Sequence, residues 1–500
     1  MRYSIAIDIG TTTVKSVLFG PGPSVIADAS REYRTHHPRP SLAEQNPNDW
    51  WHGTIASIRQ VLVKSRVSPD DIGVISVSSQ APCVLPVDRD GKPLRNALIW
   101  MDRRSTKELE ILKNTVGEKR IFDITGNRLD TYFTLTELMW LLRNEPSLME
   151  RCHKVLQVNA YINLKLTGVF SIDITHASLT QIMDVHTETW SRELLDAIGA
   201  DESLMPDIYQ CMDVLGHVSE QAAKEIGLST KTVVLAGAVD ATAAALEMGI
   251  NHGGKVAEMT GTSSVVMIGF DKLITMERLS YLRGRRPGST ILYGPMNAAG
   301  GSLKWFRDSL YGGETPENDA YDRMNREVES GAADPSKVIF LPYMTGERAP
   351  IWDPDARGCF VGLHMSTSRA QFERAIMEGA CFALRDNLDQ AKAAGLHFDD
   401  FMCCGGCSKS DIWLRIKASV MGCPVHVPMI NLGAQGGLSY MNAAYLGEFS
   451  SPEEASEAKL AIKKTVEPVK EWVPVYEEMY RIYLESYQQL KKQFKALAAL

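Results

Sequence analysis

The sequence predicts an α/β protein built from two domains. Stretches rich in Val and Ile, each of strand length, alternate with stretches whose apolar residues recur at helical spacing, which is typical of the α/β class. The chain has 500 residues, 44% of them hydrophobic, and this is more than one hydrophobic core usually holds. A short motif also occurs twice, about half of the chain apart. We therefore expect two similar domains with a cleft between them.

The first half of the chain supplies most of the strand and helix patterns. Strand-like runs are expected at residues 3–9, 14–19, 72–78, 83–87 and 232–236. Helical patterns are expected near residues 48–65, 105–116 and 135–143. The second half repeats the mixture and ends, after Pro474, in a segment whose apolar residues lie at helical spacing among charged ones. That spacing predicts a long amphipathic terminal helix that packs on the protein and carries no chemistry.

The repeated motif is a turn made of glycine and hydroxyl residues. It reads Gly10-Thr11-Thr12-Thr13-Val14 in the first half and Gly261-Thr262-Ser263-Ser264-Val265 in the second. Each copy follows one β-like run and precedes another, which is the pattern of a hairpin with a tight turn. Five small residues can also coincide by chance, so the repeat alone leaves both explanations open. Two domains, residues 1–246 and 247–500, that each offer one such turn to a shared cleft would explain it.

Composition and charge argue against several classes of function. The net charge is −8 and the Lys and Arg residues are scattered, so we expect no nucleic-acid partner. The first residues lead straight into a strand pattern without the features of a signal peptide, and acidic residues and glycines interrupt the most apolar stretch, near residues 232–250. We expect a soluble, cytoplasmic protein that does not enter the membrane. A homodimer is an assembly that the sequence permits and does not specify.

The nine cysteines are expected to be reduced thiols, because their number is odd and their spacing is not that of a disulfide framework. Cys403, Cys404 and Cys407 form the one tight cluster. No second pair accompanies them to complete a zinc site. We interpret the cluster as ordinary packing beside Gly405 and Gly406 at the end of a strand, and we assign no metal to it.

The first glycine turn has the features of a phosphate-binding site, although neither a Walker loop nor a dinucleotide fingerprint occurs. Its glycine and hydroxyl residues would expose consecutive backbone N–H groups in a concave array that suits phosphate oxygens. Asp8 ends the strand before the turn, where a carboxylate would hold Mg²⁺ beside bound phosphates. Met259 stands at the corresponding position of the second copy. A strand-end aspartate is often only a turn former, and the residues alone leave both interpretations of Asp8 open.

Asp240 lies where a strand of Val and Leu gives way, through Gly237, to an alanine-rich helix. A carboxylate in the first turn of a helix is commonly a cap that interacts favourably with the helix dipole. The same position would suit a base that orients a substrate hydroxyl and accepts its proton during phosphoryl transfer. The residues alone do not choose between these roles.

Polar residues near position 100 suit a polyhydroxylated ligand. Gln80 ends one predicted strand, and Trp100, Asp102 and Arg104 follow another. A surface ion pair beside a core tryptophan would give the same pattern. The segment 340–358 is dense in Pro and Gly, which predicts a long ordered loop.

These segments together resemble the FGGY carbohydrate kinases, members of the actin, Hsp70 and hexokinase superfamily of two-domain ATPases. The resemblance covers nearly the whole chain and rests, in the family's order, on DIGTTTVK, EQNPNDWW, ALIWMDRRS, DTYFTLTELMW, LAGAVDA, EMTGTSS, AAGGSLKW, FLPYMTGERAPIWDPDARG and CGGCSKSDIWLRIKASVMGCPV. It implies two ribonuclease H-like (actin-like ATPase) domains flanking a deep cleft. The sugar site, the first phosphate turn and the catalytic base would lie in residues 1–246. The adenosine site, the second phosphate turn and the terminal helix would lie in residues 247–500.

By position, the resemblance implies a role for each candidate residue. Asp240 corresponds to the catalytic base and Asp8 to the carboxylate of the magnesium site. The nucleotide-binding residues that it implies are Gly10, Thr11, Thr12, Thr13, Lys15, Gly261, Thr262, Gly300, Lys304, Gly405, Gly406 and Ser410. The substrate-binding residues that it implies are Gln80, Ala81, Trp100, Asp102, Arg104, Tyr132 and Asp240. Ser410 departs from the family, which often has asparagine there.

The implied reaction is direct transfer of the γ-phosphate of ATP, with Mg²⁺, to a hydroxyl of a small sugar or polyol. Ala81 and Pro82 stand where glycerol kinases have the polar pair Arg-Glu and xylulose kinases have Met-His, so both polar groups are lost. Their loss disfavours glycerol, since a missing buried partner costs about 1 to 3 kcal/mol. We expect a ketopentose such as xylulose or ribulose, with a polyol such as glycerol or erythritol as the alternative. An actin- or Hsp70-like ATPase, whose output is a conformational change, is a third possibility.

Overall fold

The computed structural model describes residues 2–310, 317–429 and 432–500, which form two lobes around two seven-stranded sheets. The strands of the first half are β1 (Tyr3–Ile9), β2 (Thr13–Gly20), β3 (Ser24–Glu32), β4 (Glu44–Gln45), β5 (Ile72–Ser79), β6 (Cys83–Val87), β7 (Ala97–Ile99), β8 (Lys154–Leu156), β9 (Ser171–Asp173), β10 (Met183–Asp184), β11 (Thr189–Trp190), β12 (Asp207–Tyr209), β13 (Val214–His217), β14 (Val233–Leu235) and β15 (Ala238–Val239). Its helices are α1 (Pro47–Ser65), α2 (Thr106–Thr115), α3 (Glu118–Thr125), α4 (Thr134–Asn144), α5 (Pro146–Met149), α6 (Val158–Thr167), α7 (Ile174–Ser178), α8 (Arg192–Ile198), α9 (Glu220–Ile226) and α10 (Asp240–Glu247).

The second half continues the α/β pattern. Its strands are β16 (Val256–Thr260), β17 (Ser264–Phe270), β18 (Ser280–Arg283), β19 (Thr290–Met296), β20 (Ile339–Leu341), β21 (Cys359–Val361), β22 (Phe401–Gly405), β23 (Val425–Pro428) and β24 (Ile462–Val466). Its helices are α11 (Gly300–Leu310), α12 (Glu317–Gly331), α13 (Arg369–Ala393), α14 (Asp411–Met421), α15 (Ala434–Tyr445), α16 (Pro452–Lys459) and α17 (Val473–Ala498). Among the helices of the described ranges, none is both long enough and apolar enough to cross a bilayer.

The two sheets share one strand order, as the repeat predicts. In the first sheet β1, β2 and β3 pair antiparallel, β5 lies parallel to β1 on its other side, and β14 lies parallel to β5. In the second sheet β16, β17 and β19 take the places of the antiparallel strands, and β22 and β23 take those of the parallel ones. Each lobe is therefore a copy of one topology.

The repeated glycine motif forms a tight hairpin turn in both sheets, and the closing hydrogen bonds of the two turns differ by one residue. The N–H of Gly10 donates to the carbonyl of Thr13 at 3.0 Å, and the N–H of Gly261 donates to that of Ser263 at 2.7 Å. One turn joins β1 to β2 and the other joins β16 to β17. Small residues permit these tight turns, and the flanking β-branched residues form the strands. We call them the first turn (residues 10–12) and the second turn (residues 261–263).

The terminal helix α17 packs on the core of the second lobe, as the apolar spacing predicts. Tyr476 and Tyr483 are fully buried, and Tyr487 is nearly so. The hydroxyl of Tyr483 lies 2.6 Å from that of Tyr343 in the loop after β20, so buried polar groups are paired as well as packed. The helix holds the loop at residues 340–358 in place and contributes no residue to the site described below.

Helix α15 crosses back onto the first lobe, which the sequence did not reveal. It packs against α10, β1 and β5, although it follows most strands of the second sheet in the chain. Glycines permit the close crossing, because a Cβ on Gly437 would lie 1.8 Å from the carbonyl oxygen of Ala243. Division of the chain at residues 246 and 247 therefore separates the strands of the two sheets, but not all of the helices that cover them.

Candidate functional site

A hydrogen-bonded network connects the first turn with two predicted substrate residues. Gln45 Nε2 donates to the carbonyl of Thr11 at 2.8 Å, and Gln45 Oε1 accepts bonds from Trp50 Nε1 at 3.0 Å and Gln80 Nε2 at 2.8 Å. Trp100 Nε1 donates to Thr11 Oγ1 at 3.2 Å. Gln80 and Trp100 therefore lie next to the turn that is predicted to bind phosphate. Sequence reasoning missed Gln45, whose side chain in the EQNPNDWW segment is fully buried in the structure.

Asp8 ends β1 between two neutral donors. Ser78 Oγ donates to Oδ1 at 2.8 Å, and Gln435 Nε2 of α15 lies 3.3 Å from Oδ2. Burial and then the negative charge of Asp240 raise the pKa of Asp8 to about 7, although the Ser78 hydrogen bond and Lys15 act in the opposite direction. Burial and a nearby like charge disfavour the ionised form of a carboxyl group, and a bound divalent cation stabilises that form. Asp8 thus fits the predicted magnesium ligand.

Lys15 faces Asp8 across the β1–β2 hairpin. Its side chain is half-buried, and within residues 2–310, 317–429 and 432–500 it forms no hydrogen bond and no ion pair. Thr12 at the tip of the first turn is exposed, and Thr13 is half-buried. An ammonium beside a turn of exposed backbone donors suits the oxygens of a bound phosphate.

Asp240 is the first residue of α10, and its Oδ1 accepts the N–H of Ala241 at 2.6 Å. Burial raises the pKa of Asp240 to about 6, against this hydrogen bond and the attraction of His176. The short strand β15 that leads to it runs beside β5, because Gly237 adopts a φ of +86° and a Cβ there would lie 2.0 Å from the carbonyl oxygen of Val77. A carboxylate that titrates near neutral pH suits a general base.

A buried polar network supports the strand that carries Asp240. His176 lies 2.9 Å from Ser79 Oγ through Nε2 and 2.5 Å from Asp173 through Nδ1, and Thr175 Oγ1 accepts the N–H of Val239 at 2.8 Å. Burial alone would raise the pKa of Asp173, but His176 and the other hydrogen bonds lower it. Ser79, His176 and Asp173 resemble a catalytic triad in composition, but their side chains are fully buried. They therefore support the site and do not face a substrate.

The second turn rests on glycines from two other elements. The N–H of Gly300 donates to the carbonyl of Gly261 at 3.2 Å, and a Cβ on Gly300 would lie 2.4 Å from that oxygen. Gly405 has a φ of +87°, and a Cβ there would lie 2.2 Å from the carbonyl oxygen of Thr260. Gly406 has room for a methyl group, with its nearest neighbour at 3.7 Å. Gly300 and Gly405 therefore position the second turn, whereas Gly406 lines the space beside it.

The remaining nucleotide candidates differ in exposure. Lys304 on α11 and Thr262 at the tip of the second turn are exposed and available to a ligand. Ser410 is buried, and its hydroxyl caps α14 by accepting the N–H of Trp413 at 3.2 Å while it donates to Asn325 Oδ1 at 2.7 Å. In the structure the Ser410 hydroxyl thus caps α14 and bonds to Asn325. Its predicted contact with the nucleotide stays a prediction.

The predicted substrate residues Asp102 and Arg104 form an internal ion pair. Asp102 is fully buried, and its carboxylate accepts the N–H of Ala43 at 2.7 Å and two bonds from the Arg104 guanidinium. Arg104 also donates to Glu44 at 2.7 Å. The pair therefore holds the loop that carries Trp100. The contact of Asp102 with the sugar stays a prediction; in the structure its side chain is fully buried against Arg104.

Both lobes contribute to the surroundings of Asp240. One hydrophobic cluster packs Ala81 and Ala241 of the first lobe with Val265 and Tyr293 of the second. Burial and then the negative charge of Asp240 raise the pKa of Tyr293 to about 12. Asp240 therefore lies near β17 and β19 of the second lobe, and its role as a base stays a prediction. Nothing in the sequence distinguished Tyr293 from other strand tyrosines.

Tyr132 and Arg348 approach this region from opposite lobes. The Arg103 guanidinium lies over the Tyr132 ring at 5.1 Å, and Arg348 Nε donates to Asn297 Oδ1 at 2.7 Å. Burial raises the pKa of Tyr132, while Arg103 and Arg348 act to lower it. The signal for Arg348 was the GERAP segment, which the sequence placed only in an ordered loop.

Sequence comparison connects the chain with one family. Residues 3–247 match the FGGY family of carbohydrate kinases, N-terminal domain, and residues 256–438 match its C-terminal domain. The chain is 29% identical over 494 residues to the xylulose kinase of Bacillus subtilis (strain 168), covering 98% of each protein. It is 30% identical over 469 residues to the glycerol kinase of Thermus brockianus, covering 90% of this chain and 91% of that protein.

Structural comparison gives the same family and the fold. The crystal structure of xylulose kinase from Rhodospirillum rubrum superposes with a TM-score of 0.92 at 27% identity, covering 99% of this chain and 100% of that one. The expected pair of ribonuclease H-like domains flanking a cleft, the arrangement of actin-like ATPases, is confirmed.

Proposed function

The chain belongs to the FGGY family of carbohydrate kinases, and on that premise we propose that it phosphorylates a ketopentose of the xylulose or ribulose type. It is an ATP-dependent kinase that transfers a phosphoryl group to an alcohol group. The observation that carries the choice of sugar is the full-length similarity to proteins named xylulose kinase. The apolar Ala81 near Asp240 supports it, because a site without polar partners there disfavours glycerol.

The residues of the site divide the work of the transfer. Asp240 accepts a hydrogen bond from the substrate hydroxyl and takes its proton as the oxygen bonds to the γ-phosphorus. The backbone N–H groups of the first and second turns stabilise the negative charge on the phosphoryl oxygens. Closure of the lobes excludes water, which would otherwise hydrolyse ATP at the same place.

Asp8 is the residue that would hold Mg²⁺. Its raised pKa and its two neutral donors, Ser78 and Gln435, fit a carboxylate whose charge a cation balances. Bound there, Mg²⁺ would offset the negative charge of the triphosphate. The nine cysteines, all thiols, fit a reducing, cytoplasmic setting for the reaction.

The substrate is tested by measuring ADP release with ATP and Mg²⁺ across xylulose, ribulose, glycerol, erythritol and a reaction without sugar. We expect the highest kcat/KM with one of the two ketopentoses. A preference for glycerol or erythritol would overturn the choice of sugar and favour the polyol alternative. ATP hydrolysis that no sugar accelerates would overturn the kinase assignment in favour of a conformational ATPase.

Lys15→Met is expected to raise the KM for ATP by about ten- to a hundredfold, because the loss of one charge-assisted hydrogen bond costs on the order of 1.5 to 3 kcal/mol. The measurement is initial velocity against ATP concentration at saturating sugar. Lys272→Met is the control, since Lys272 is an exposed lysine on a loop of the second lobe. An unchanged KM for ATP in Lys15→Met would remove Lys15 from the nucleotide site.

The rate is expected to fall on the acid side of neutrality. Asp240 must be ionised to accept a proton, and its pKa is raised from 3.8 to about 6, so kcat/KM should decrease about tenfold per pH unit below that value. The effect of Asp240 on the free energy of unfolding has the opposite sign. Its pKa is raised in the folded protein, so it stabilises the fold below about pH 4, and this contribution is lost as the pH rises through the folded-state pKa of about 6. A kcat/KM profile that stays flat down to pH 5, at constant ionic strength and excess Mg²⁺, would contradict the assignment.

A further inference from the structure

A buried charged cluster behind the second turn has no part in the transfer described above. It consists of Glu258, Cys403, Cys407 and Lys417, all of them buried, and we call it the thiol cluster. Lys417 Nζ pairs with the carboxylate of Glu258 and lies 3.3 Å from Cys403 Sγ and 3.2 Å from Cys407 Sγ. The two sulfur atoms are 3.4 Å apart. Such a group is unusual in a hydrophobic core, where a charge is costly to bury unless it is paired.

The interpretation of the cysteines as ordinary packing holds for one of the three. Cys404 lies on the other face of β22, because side chains alternate along a strand, and its Sγ contacts Met248 Sδ at 3.4 Å. Cys403 and Cys407 share the ammonium of Lys417 instead. The spacing in the sequence did not reveal this, because Glu258 is 145 residues from Cys403 and a single lysine ten residues after Cys407 carries no recognisable pattern.

The thiol cluster connects the two elements that are proposed to hold the nucleotide. Glu258 Oε1 accepts bonds from Thr260 Oγ1 and Ser264 Oγ, each at 2.6 Å, and these two residues flank the second turn. Cys407 lies in the 3₁₀ turn Gly406–Lys409, directly after Gly405. A change in the position of either sulfur would therefore reach the surface on which the nucleotide is proposed to rest.

A metal ion does not suit this cluster. Oxygen and sulfur atoms of Glu258, Cys403 and Cys407 lie within 4.8 Å of one another, which is a spacing that zinc ligands adopt. The ammonium of Lys417, however, already contacts all three side chains. A metal at a thiolate distance of about 2.3 Å would have to displace this buried cation. Lys417 thus supplies the positive charge that a metal would bring.

The two thiols differ in their readiness to react. The hydrogen bond from Cys403 lowers the pKa of Cys407 to about 7, and Lys417 acts in the same direction against burial. The same interaction raises the pKa of Cys403 well above its ordinary value. The thiolate is the nucleophilic form of cysteine. The two sulfur atoms are in contact with each other and with Lys417 Nζ, so a thiolate at Cys407 has Cys403 within reach to resolve the product.

We propose that Cys403 and Cys407 are a peroxide-sensitive dithiol whose oxidation to a disulfide weakens nucleotide binding. The Cys407 thiolate attacks one oxygen of hydrogen peroxide, which breaks the O–O bond and, after one proton is taken up, leaves a sulfenic acid and water. The Cys403 sulfur then attacks Cys407 Sγ, forming the disulfide and releasing a second water. Two thiols and one peroxide thus give one disulfide and two waters. A thiol reductant reverses the step.

The disulfide would move the turn that carries Cys407. The sulfur atoms must approach from 3.4 Å to a bond length of about 2.05 Å. Cys403 is fixed in β22, where it pairs with Glu258 of β16, so the movement falls on the turn Gly406–Lys409. The backbone of Gly405 packs closely against the carbonyl oxygen of Thr260. A displacement of the turn Gly406–Lys409 would therefore also move the stem of the second turn. The effect on activity rests on the proposed nucleotide site, whereas the formation of the disulfide does not.

The experiment treats the full-length protein with hydrogen peroxide and then alkylates the remaining thiols. We expect the peptide that contains residues 403–407 to lose two hydrogens and to keep one alkylated cysteine, Cys404. We expect the KM for ATP to rise on the order of tenfold, since an ångström-scale displacement of a positioning element can cost that much or more. Dithiothreitol should restore both the thiols and the KM.

Matched variants separate this pair from other cysteines. Cys404→Ser should form the disulfide and respond to peroxide like the parent protein, whereas Cys403→Ser and Cys407→Ser should form no disulfide and show no reversible change in KM. Full alkylation of the parent peptide after peroxide treatment would overturn the proposal without any variant having to fold. If the disulfide forms and the KM for ATP is unchanged, the peroxide-sensitive dithiol is supported and its effect on nucleotide binding is refuted. An equal reversible loss in Cys403→Ser would place the sensitive thiol elsewhere.

Discussion

Asp240→Asn is expected to lower kcat for sugar phosphorylation by about a thousandfold or more, because the amide keeps the shape of the side chain and cannot accept a proton. ATP binding should be preserved, because the proposed contacts with the phosphates come from the first and second turns and not from Asp240. The measurements are kcat by ADP release with the preferred sugar and the dissociation constant of ATP by calorimetry. The thermal unfolding midpoint should not fall, because burial of the ionised Asp240 is unfavourable.

Asp8→Asn is the matched comparison for that variant. Both carboxylates have a raised pKa and lie at the ends of strands in one sheet, but only Asp8 is proposed to act through Mg²⁺. We expect Asp8→Asn to weaken the Mg²⁺ dependence of ATP binding, whereas Asp240→Asn leaves it unchanged. Near-normal turnover in Asp240→Asn would remove Asp240 from the mechanism. Equal loss of ATP binding in both variants would show that the two carboxylates share one role.

Gly405→Ala is expected to destabilise the protein by about 3 kcal/mol and to abolish measurable ATP binding. Its φ of +87° is unfavourable for a residue with a Cβ, and that Cβ would lie 2.2 Å from the carbonyl oxygen of Thr260. The strand that ends at Gly405 would have to move away from the second turn. The measurements are the free energy of unfolding in urea and the dissociation constant of ATP.

Gly406→Ala is the matched control one residue further along the same turn. Gly406 does not have a positive φ, and its nearest neighbour would be 3.7 Å from an added Cβ, so the free energy of unfolding should change little. A loss of ATP affinity in Gly406→Ala at normal stability would indicate direct contact with the nucleotide. Equal destabilisation in the two variants would contradict the explanation of Gly405 by backbone geometry.

The features of the fold that the sequence revealed are local ones. Glycine and hydroxyl residues between β-branched runs specify a hairpin within a dozen residues, so both turns were predictable from their own segments. The amphipathic spacing of α17 was equally local. The crossing of α15 onto the first lobe depends on contacts between Gly437 and Ala243, which are far apart in the chain. No pattern within the α15 segment encodes its partner, so that feature needed the structure.

The candidate site was predicted in part, and the missing part has a physical reason. Asp8 and Asp240 followed from strand ends and from the family resemblance, which together indicate where carboxylates can face a ligand. Gln45 and Tyr293 were missed because a single amide in a two-residue strand and a single tyrosine in a longer strand carry no periodic signal. The burial of the Asp102–Arg104 ion pair was not predictable, because the same residues in sequence can form a buried or an exposed pair.

The return of α15 to the first lobe has a consequence for how this protein matures. Its Gln435 and the backbone around Gly437 cover the strand that carries Asp8 and the helix that carries Asp240, although they are synthesised nearly two hundred residues after Asp240 and more than four hundred after Asp8. The first half of the chain therefore leaves the ribosome with an apolar face that stays exposed until α15 has been synthesised and packs on it. A polypeptide truncated after residue 246 should expose that face and aggregate, and adding a separate fragment that contains α15 should rescue its solubility.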